Sequence, residues 1–189
     1  MDYKRPEEKH MVLTLMERKM FFDNWLKLLA FVNKEYKIIK NFGNPTNPVG
    51  INVNDLMKIR KQLWKNEKII DEYLKTTELS SKDYALVISW KKFIKGKFIV
   101  LKELKKYCVF LEREYEKLYG VHGISCEISE VLNPLPIMIE TVLIPFNGKI
   151  IYDSLTETNN VHFGPNMRKS FNEKYIEIKK EIGIIGMLE

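Results

Sequence analysis

The sequence predicts an α+β protein: a helical N-terminal part, residues 1–78, precedes an α+β part with two β-hairpins, residues 79–189. In the first half, apolar residues recur every three or four positions, which is the period of an amphipathic helix. After Gly96 come short runs rich in β-branched and aromatic residues, and Asn147-Gly148 separates two apolar runs as in a tight hairpin. The two parts are separate domains or one continuous domain.

The helical part is predicted to contain about three helices. The first spans about Glu8 to Ile39, as one helix or as two joined by a kink. The segment Asn41–Asn54 is rich in asparagine, proline and glycine and is predicted to be a loop before the second helix. The third begins near Ser80, which precedes Asp83 at the spacing of a capping box, and Gly96 is expected to end it.

The second part is predicted to contain about four strands, arranged as two hairpins, and a C-terminal helix. Whether the strands form one antiparallel sheet or a small open barrel stays open. Gly120–Gly123 is interpreted as part of the connection between the hairpins, and the apolar tail after Gly183 is expected to pack. The predicted strands are Phe98–Leu101, Tyr107–Leu111, Ile137–Ile144 and Lys149–Tyr152, and the predicted helices are Glu127–Leu132 and Asn166–Ile182.

Composition places the chain among folded globular proteins. Hydrophobic residues make up 45% and charged residues 30% of its 189 residues, enough to bury a core. No apolar run approaches the roughly 20 residues that a membrane-spanning helix needs, and the charged first ten residues do not resemble a signal peptide. Two cysteines are too few for a disulfide framework. We therefore expect a cytoplasmic protein without membrane contact.

The positive charge of the chain is concentrated in residues 82–106. This segment has eight lysines and two acidic residues, a net charge of +6 that equals the formal charge of the whole chain. Lysines interleaved with aromatic residues can contact phosphates and stack on bases. Lysines can also offset a helix dipole or protect a sheet edge, so a solvated structural face is the alternative. The candidate nucleic-acid-binding residues are Lys91, Lys92, Lys95, Lys97, Lys105 and Lys106.

Motifs of known enzyme classes are absent from the sequence. It has no phosphate-binding loop, no dinucleotide fingerprint and no nucleophile elbow, so no catalytic residues are predicted. His122 and Cys126 are the closest His–Cys pair, but a zinc site needs four ligands, so we predict no metal and no cofactor. Cys108 lies within a predicted strand and is interpreted as a buried structural cysteine.

Three functional hypotheses follow from the sequence. The first is a non-enzymatic binding protein whose partner is nucleic acid or another protein. The second is an enzyme of unrecognised type with a pocket near the second hairpin, formed around Glu140, Tyr152, Asp153 and His162. The third is a structural protein that forms homo-oligomers through its N-terminal helices, where apolar residues exceed a single stripe: Met11, Met16, Met20, Phe21 and Phe22.

A series of short motifs extends over the second part of the chain. They are Trp90-Lys91-Lys92-Phe93, Gly96-Lys97-Phe98-Ile99-Val100, Leu104-Lys105-Lys106-Tyr107, Val109-Phe110-Leu111, Tyr119-Gly120-Val121, Glu140-Thr141-Val142-Leu143-Ile144-Pro145-Phe146, Gly148-Lys149-Ile150-Ile151-Tyr152-Asp153 and Phe163-Gly164. Over about Leu79–Glu189 the chain resembles a family of uncharacterised bacterial proteins of unknown function. Some relatives carry a C-terminal zinc tail of the SEC-C type, and this chain lacks that Cys/His cluster. The resemblance therefore implies no metal and no catalytic residues.

Overall fold

The chain forms six α-helices and a mixed sheet of six strands, counted over the residues that the computed structural model describes, 11–40, 42, 52–158 and 163–189. The predicted α+β class is therefore confirmed. The chain divides into a helical unit, Leu15–Phe93, and a barrel unit of Ile94–Glu189 together with residues 11–14. This division follows Phe93, whereas the sequence prediction placed it after residue 78.

The helical unit contains four of these α-helices and a 3₁₀ helix at Trp90–Lys92. Its α-helices are α1 (Leu15–Tyr36), α2 (Val53–Leu63), α3 (Lys68–Thr76) and α4 (Ser81–Ser89). Helix α4 contacts α3, and the 3₁₀ helix follows α4 directly. For this reason the chain leaves the helical unit only after the 3₁₀ helix.

Aromatic rings fill the core of the helical unit. Phe21 and Trp25 are buried on α1, and Trp90 is buried at the start of the 3₁₀ helix. The ring centroid of Trp25 lies 5.7 Å from that of Trp64 and 6.0 Å from that of Trp90. Aromatic pairs of this kind contribute about 0.5–1.5 kcal/mol beyond the burial of their area. The helical spacing of apolar residues in the first half therefore marks the buried face of α1.

Three helix predictions differ from the structure. Helix α1 ends at Tyr36 instead of Ile39, because Lys37 has a positive φ of 50°, which a helix does not continue. The predicted second helix is two helices, α2 and α3. The third ends at Ser89, and Gly96 lies inside a strand, so the prediction that Gly96 ends this helix was wrong. The predicted loop at residues 41–54 lies mostly outside the described residues.

Ser80 caps α4, as its spacing to Asp83 predicts. The backbone N of Asp83 donates to Ser80 Oγ at 3.1 Å, and the Ser80 hydroxyl donates to Asp83 Oδ2 at 2.6 Å. Asn24 Nδ2 donates to Asp83 Oδ1 at 2.8 Å, which ties the buried side chain of α1 to the start of α4. The hydrogen bonds from Ser80 and Asn24 hold the pKa of Asp83 below its ordinary value.

The barrel unit contains the six strands and the two remaining α-helices. In chain order these are β1 (Ile94–Glu103), β2 (Cys108–Glu112), β3 (Leu118–His122), α5 (Ile128–Val131), β4 (Ile137–Phe146), β5 (Lys149–Tyr152), β6 (Glu157–Thr158) and α6 (Pro165–Glu181). Strands β1 and β2 pair antiparallel, and so do β4 and β5, so both predicted hairpins are confirmed. Helices α5 and α6 also lie where the sequence predicts them.

Five of the strands form a closed barrel. Strand β1 pairs with β4 through residues 94–100 and with β2 through residues 98–103. Strand β3 pairs with β2 and, in parallel, with β5 through Val121 and His122, so the order β1-β2-β3-β5-β4 returns to β1. This five-stranded ring resembles the OB barrel, which also has five strands. Of the two predicted arrangements, the chain therefore adopts the barrel, although its ring of strands is closed and the predicted barrel was open.

The predicted strand set was incomplete. Strand β3 occupies the segment interpreted as a connection, because Gly120 and His122 interrupt its short apolar run. The two-residue strand β6, which pairs with β4, was also missed. The parallel pairing of β3 with β5 makes the sheet mixed rather than purely antiparallel.

Alternate residues of the strands fill the interior of the barrel. Phe98, Phe110 and Tyr119 are buried there, and the Phe98 centroid lies about 6 Å from both of the other rings. Ile128 of α5 and Leu132 after it belong to the same cluster. Because side chains alternate across a strand, the intervening residues face outward and need a second covering layer.

Helix α6 supplies that layer on the outer face of β1, β2 and β3. Val109 and Leu111 of β2 are buried outward and pack with Phe171, Tyr175 and Ile178 of α6. These three residues follow each other at steps of four and three, which places them on one face of the helix. The barrel unit therefore has two apolar layers, one on each side of β1–β3.

The apolar tail after α6 packs against the barrel, as predicted. Ile185 N donates to Leu118 O at 2.8 Å, and Gly120 N donates to Ile185 O at 2.9 Å. Since β2 occupies one edge of β3 over this stretch, the tail lies on the other edge, which β3 also uses to pair with β5. Leu188 is buried in the interior cluster. The tail thus lengthens the short contact of β3 on its β5 side.

We predict that Asp83→Asn destabilises the helical unit by about 1–2 kcal/mol near neutral pH, because hydrogen bonds to a charged acceptor are stronger than those to an amide. A carboxylate with a lowered pKa contributes stability above its unfolded pKa, and that stability is lost as the pH falls through the folded pKa. The difference from wild type should therefore stay constant from neutral pH down to about pH 5 and shrink as the pH falls further, through the ordinary aspartate pKa of about 3.9 and below it, as measured by urea unfolding.

The matched control for Asp83 is Asp23→Asn, which removes an exposed carboxylate paired with Lys19 at 2.7 Å. Exposed pairs of this kind contribute little, so this variant should differ from wild type by a few tenths of a kcal/mol. A deficit of Asp83→Asn that stays constant across the pH range would contradict the assignment.

Gly123 is the second position at which a small substitution should be costly. Gly123 N donates to Met11 O at 2.8 Å, and Leu13 N donates to Gly123 O at 2.9 Å, so a short N-terminal segment pairs with the chain just beyond β3. A Cβ added at Gly123 would overlap the backbone carbonyl oxygen of Cys126, which cannot move without the backbone.

We predict that Gly123→Ala lowers the free energy of unfolding by about 3 kcal/mol, the upper end of typical overpacking costs. Chemical denaturation of both variants measures this, with Gly186→Ala as the control, because a Cβ there meets no atom within 4 Å. Equal stability of the two variants would show that the approach of Gly123 to Cys126 is not as close as described.

Candidate nucleic-acid interface

Two of the six candidate lysines lie on the turn between β1 and β2. Leu104 N donates to Tyr107 O at 2.9 Å, and this bond closes a four-residue turn that places Lys105 and Lys106 at its tip. Both side chains are exposed, and neither has an ion pair with any described residue. Their charges are therefore available to an external anion. We call Leu104–Tyr107 the β1–β2 turn.

A cleft adjoins the β1–β2 turn. Its volume is about 590 Å³, and its walls include Lys105 and Glu127. Residues 11–14 form the rest of the wall, because their pairing with Gly123 brings them alongside the barrel. The cleft therefore has an apolar side, provided by residues such as Met11 and Val12, and one side chain of each charge.

Tyr107 extends the turn with an aromatic ring. A Cβ on Gly120 would lie 2.9 Å from Tyr107 Cγ, so the ring rests on β3 at the one position that has no side chain. The centroid of the half-buried Tyr107 ring lies 6.2 Å from that of His122. The turn thus joins two lysines to a tyrosine that the sheet holds in place.

Lys95 and Lys97 lie in a different surrounding, a groove on the outer side of β1. The groove has a volume of about 310 Å³, and Lys97 is paired across the strands with Glu140. Arg113 adds a third cation to the groove. The carboxylates of Glu112 and Glu114, together with that of Glu140, balance these three positive charges. Burial raises the pKa of Glu112. Carboxylates equal in number to the cations make this groove a poor site for a polyanion.

Lys91 and Lys92 belong to the helical unit. Lys91 Nζ donates to both carboxylate oxygens of Asp71, at 2.8 and 2.9 Å, and this hydrogen bonding raises the pKa of Lys91. Lys92 is exposed at the end of the 3₁₀ helix. The structure therefore places the six candidate lysines in unlike surroundings: one is paired, two face carboxylates, and three are exposed without an ion pair among the described residues.

Of the residues of the enzyme hypothesis, the structure places Glu140 and Asp153 on different faces of the sheet. Asp153 is fully buried, with its Oδ1 3.5 Å from Oγ1 of the inward-facing Thr141. Glu140 precedes Thr141 in β4 and so points to the opposite face of the sheet. Burial, and then the charges of Cys126 and Asp153, raise the pKa of Tyr152 to about 12. His162 lies outside the described residues.

The cysteines and histidines form no cluster in the described part of the chain. No group of three or more His, Cys, Asp or Glu side chains there is placed to hold a metal ion. Cys108 is buried in β2, where its Sγ lies 3.4 Å from Lys102 O, and burial raises the pKa of this thiol well above its usual range. The prediction that Cys108 is buried is confirmed.

The apolar residues behind the self-association hypothesis lie in unlike places. Met16, at the start of α1, is 84% exposed, whereas Phe21 is fully buried in the helical core. Met20 and Phe22 are half-buried, and Met11 belongs to the barrel unit. None of the described helices is long and apolar enough to cross a membrane.

The sequence indicates aromatic residues among the candidate lysines, but not the contact that holds Tyr107 in place. Tyr107 was assigned to a predicted strand, but no contact was predicted for its ring. That contact is with Gly120 of β3, a strand that was not predicted. The signal that was available is the glycine itself, since a glycine inside a strand often marks the close approach of another group.

Comparison with protein-family models, with curated proteins and with solved structures finds no match to this chain.

Proposed function

We propose that the protein is a non-enzymatic binding protein that contacts single-stranded nucleic acid through the β1–β2 turn of its barrel. The observation that carries the proposal is the tip of this turn, where Lys105 and Lys106 are exposed without ion pairs among the described residues and Tyr107 adjoins them. Lysines supply the salt-dependent attraction to phosphates, and an aromatic ring offers a surface to a base.

The position of the turn supports the proposal. In OB barrels, oligonucleotides and oligosaccharides bind to the face of strands 2 and 3 and to the loops between strands 1 and 2 and between strands 4 and 5. In this chain the outer side of β2 packs against α6, so much of that face is already covered. The β1–β2 turn remains exposed at its tip, which favours the turn as the contact.

The charge distribution also favours the turn over the remaining lysines of the barrel unit. Lys95 and Lys97 share their groove with carboxylates, which repel phosphates as strongly as the lysines attract them. The cleft beside Lys105 has room and an apolar wall, as a site for an unstacked base requires. A single strand can therefore place phosphates on the turn and a base beside it.

We predict that a fluorescent oligo(dT) binds the protein at low salt and that Lys105→Gln/Lys106→Gln weakens this binding. A phosphate contact contributes about 0.7 to the slope of log K against log salt for a single strand, so the double variant should flatten the slope by about 1.4. Fluorescence anisotropy at several NaCl concentrations between about 50 and 200 mM measures the affinity and its slope against log salt.

The matched control is Lys95→Gln/Lys97→Gln, which removes the same charge from the groove lined by carboxylates. Its slope should stay near the wild-type value. The proposal fails if the wild-type protein does not bind the oligonucleotide at low salt, or if the control variant loses as much affinity as the turn variant.

A further inference from the structure

Two lysines outside the β1–β2 turn converge on one aromatic ring. Lys102 Nζ, at the end of β1, lies 4.0 Å from the ring centroid of Tyr175, and Lys179 Nζ, one turn further along α6, lies 5.5 Å from the same centroid. Tyr175 is itself buried between α6 and the outer face of the barrel. The packing of α6 on β1–β3 therefore places both ammonium groups within 6 Å of the centroid of one ring.

Neither of these ammonium groups has an ion pair with a described residue. Lys102 Nζ donates one hydrogen bond, to the neutral Oδ1 of Asn172 at 3.1 Å, and an ammonium has three donors. Two nearby carboxylates of α6 are used by other lysines, since Glu177 pairs with Lys174 at 2.9 Å and Glu173 approaches Lys169 at 3.9 Å. The pair over Tyr175 is left with positive charge and free donors.

The pair lies beside the β1–β2 turn. Lys102 precedes the turn by one strand residue and faces the α6 side of the sheet. Tyr107 of the turn packs against the same apolar cluster as Tyr175. Tyr107 and Tyr175 therefore connect the β1–β2 turn to the two lysines over Tyr175 through one apolar cluster.

We infer that Lys102 and Lys179 form a phosphate-binding site that continues the path of a single strand from the β1–β2 turn onto α6. This inference rests on the proposed function. The ligand is the phosphodiester backbone of the strand, which the two ammonium groups contact by charge-assisted hydrogen bonds. Tyr175 is a positioning residue: cation–π contact holds both ammonium groups over its ring, and its own ring is too buried to stack on a base.

Oligo(dT) anisotropy on the full chain tests the inference, with Lys102→Gln and Lys179→Gln as the variants. Each should reduce affinity several-fold at 50 mM NaCl and flatten the slope against log salt by about 0.7. Lys102→Arg and Lys179→Arg keep the charge and should bind with nearly the wild-type slope. Thermal melting of every variant separates loss of contact from loss of folding.

Lys174→Gln and Lys169→Gln are the matched controls, because each removes one positive charge from α6 without touching Tyr175. The inference is overturned if Lys102→Gln and Lys179→Gln bind like these controls. If Lys102→Gln and Lys179→Gln bind like the controls while Lys105→Gln/Lys106→Gln binds oligo(dT) more weakly, the proposed function stands without the α6 site. If only the Lys102 and Lys179 variants are weakened, the turn is not the contact and the α6 site is. Absence of oligonucleotide binding by the wild type overturns both.

Discussion

Strand β1 hydrogen-bonds to β4 through its first half and to β2 through its second half, and the barrel closes because the same strand serves both. Phe98, Ile99 and Val100 have partners on both sides. The register with β2 shifts between Val100 and Lys102, and an irregularity of this kind bends a strand and increases its twist. Without that bend a ten-residue strand would continue in one open sheet, and β3 would not reach β5 to close the ring of strands.

This bend also decides where the charges lie. The residues before it face β4, so Lys97 is opposite Glu140 and its charge is offset. The residues after it lead into the β1–β2 turn, where Lys105 and Lys106 are clear of the sheet. Neighbouring lysines in the sequence therefore have different electrostatic surroundings, and the net charge of a segment does not give the charge of a surface.

Much of the fold was predictable, and what was missed has identifiable physical causes. The two hairpins and α6 carry local signals: Asn147-Gly148 at a turn and apolar spacing along a helix. Strand β3 has no such signal. Its central position must be glycine because Tyr107 approaches closely there, so a β-branched or aromatic residue typical of strands cannot occupy it. The lysines of the candidate interface were predicted from the concentration of positive charge in residues 82–106. Their separation into paired, offset and available groups depends on contacts such as Lys91 with Asp71, which are 20 residues apart.

The closure of the barrel by β1 is the claim on which the turn, the groove and the α6 surface all depend. Cross-strand nuclear Overhauser effects in the isotope-labelled protein test it most directly. Phe98 should show backbone contacts with both Glu112 and Ile139, and Val121 should show contacts with Ile150. If Phe98 contacts residues of only one neighbouring strand, the five strands do not form a closed barrel, and the account is contradicted.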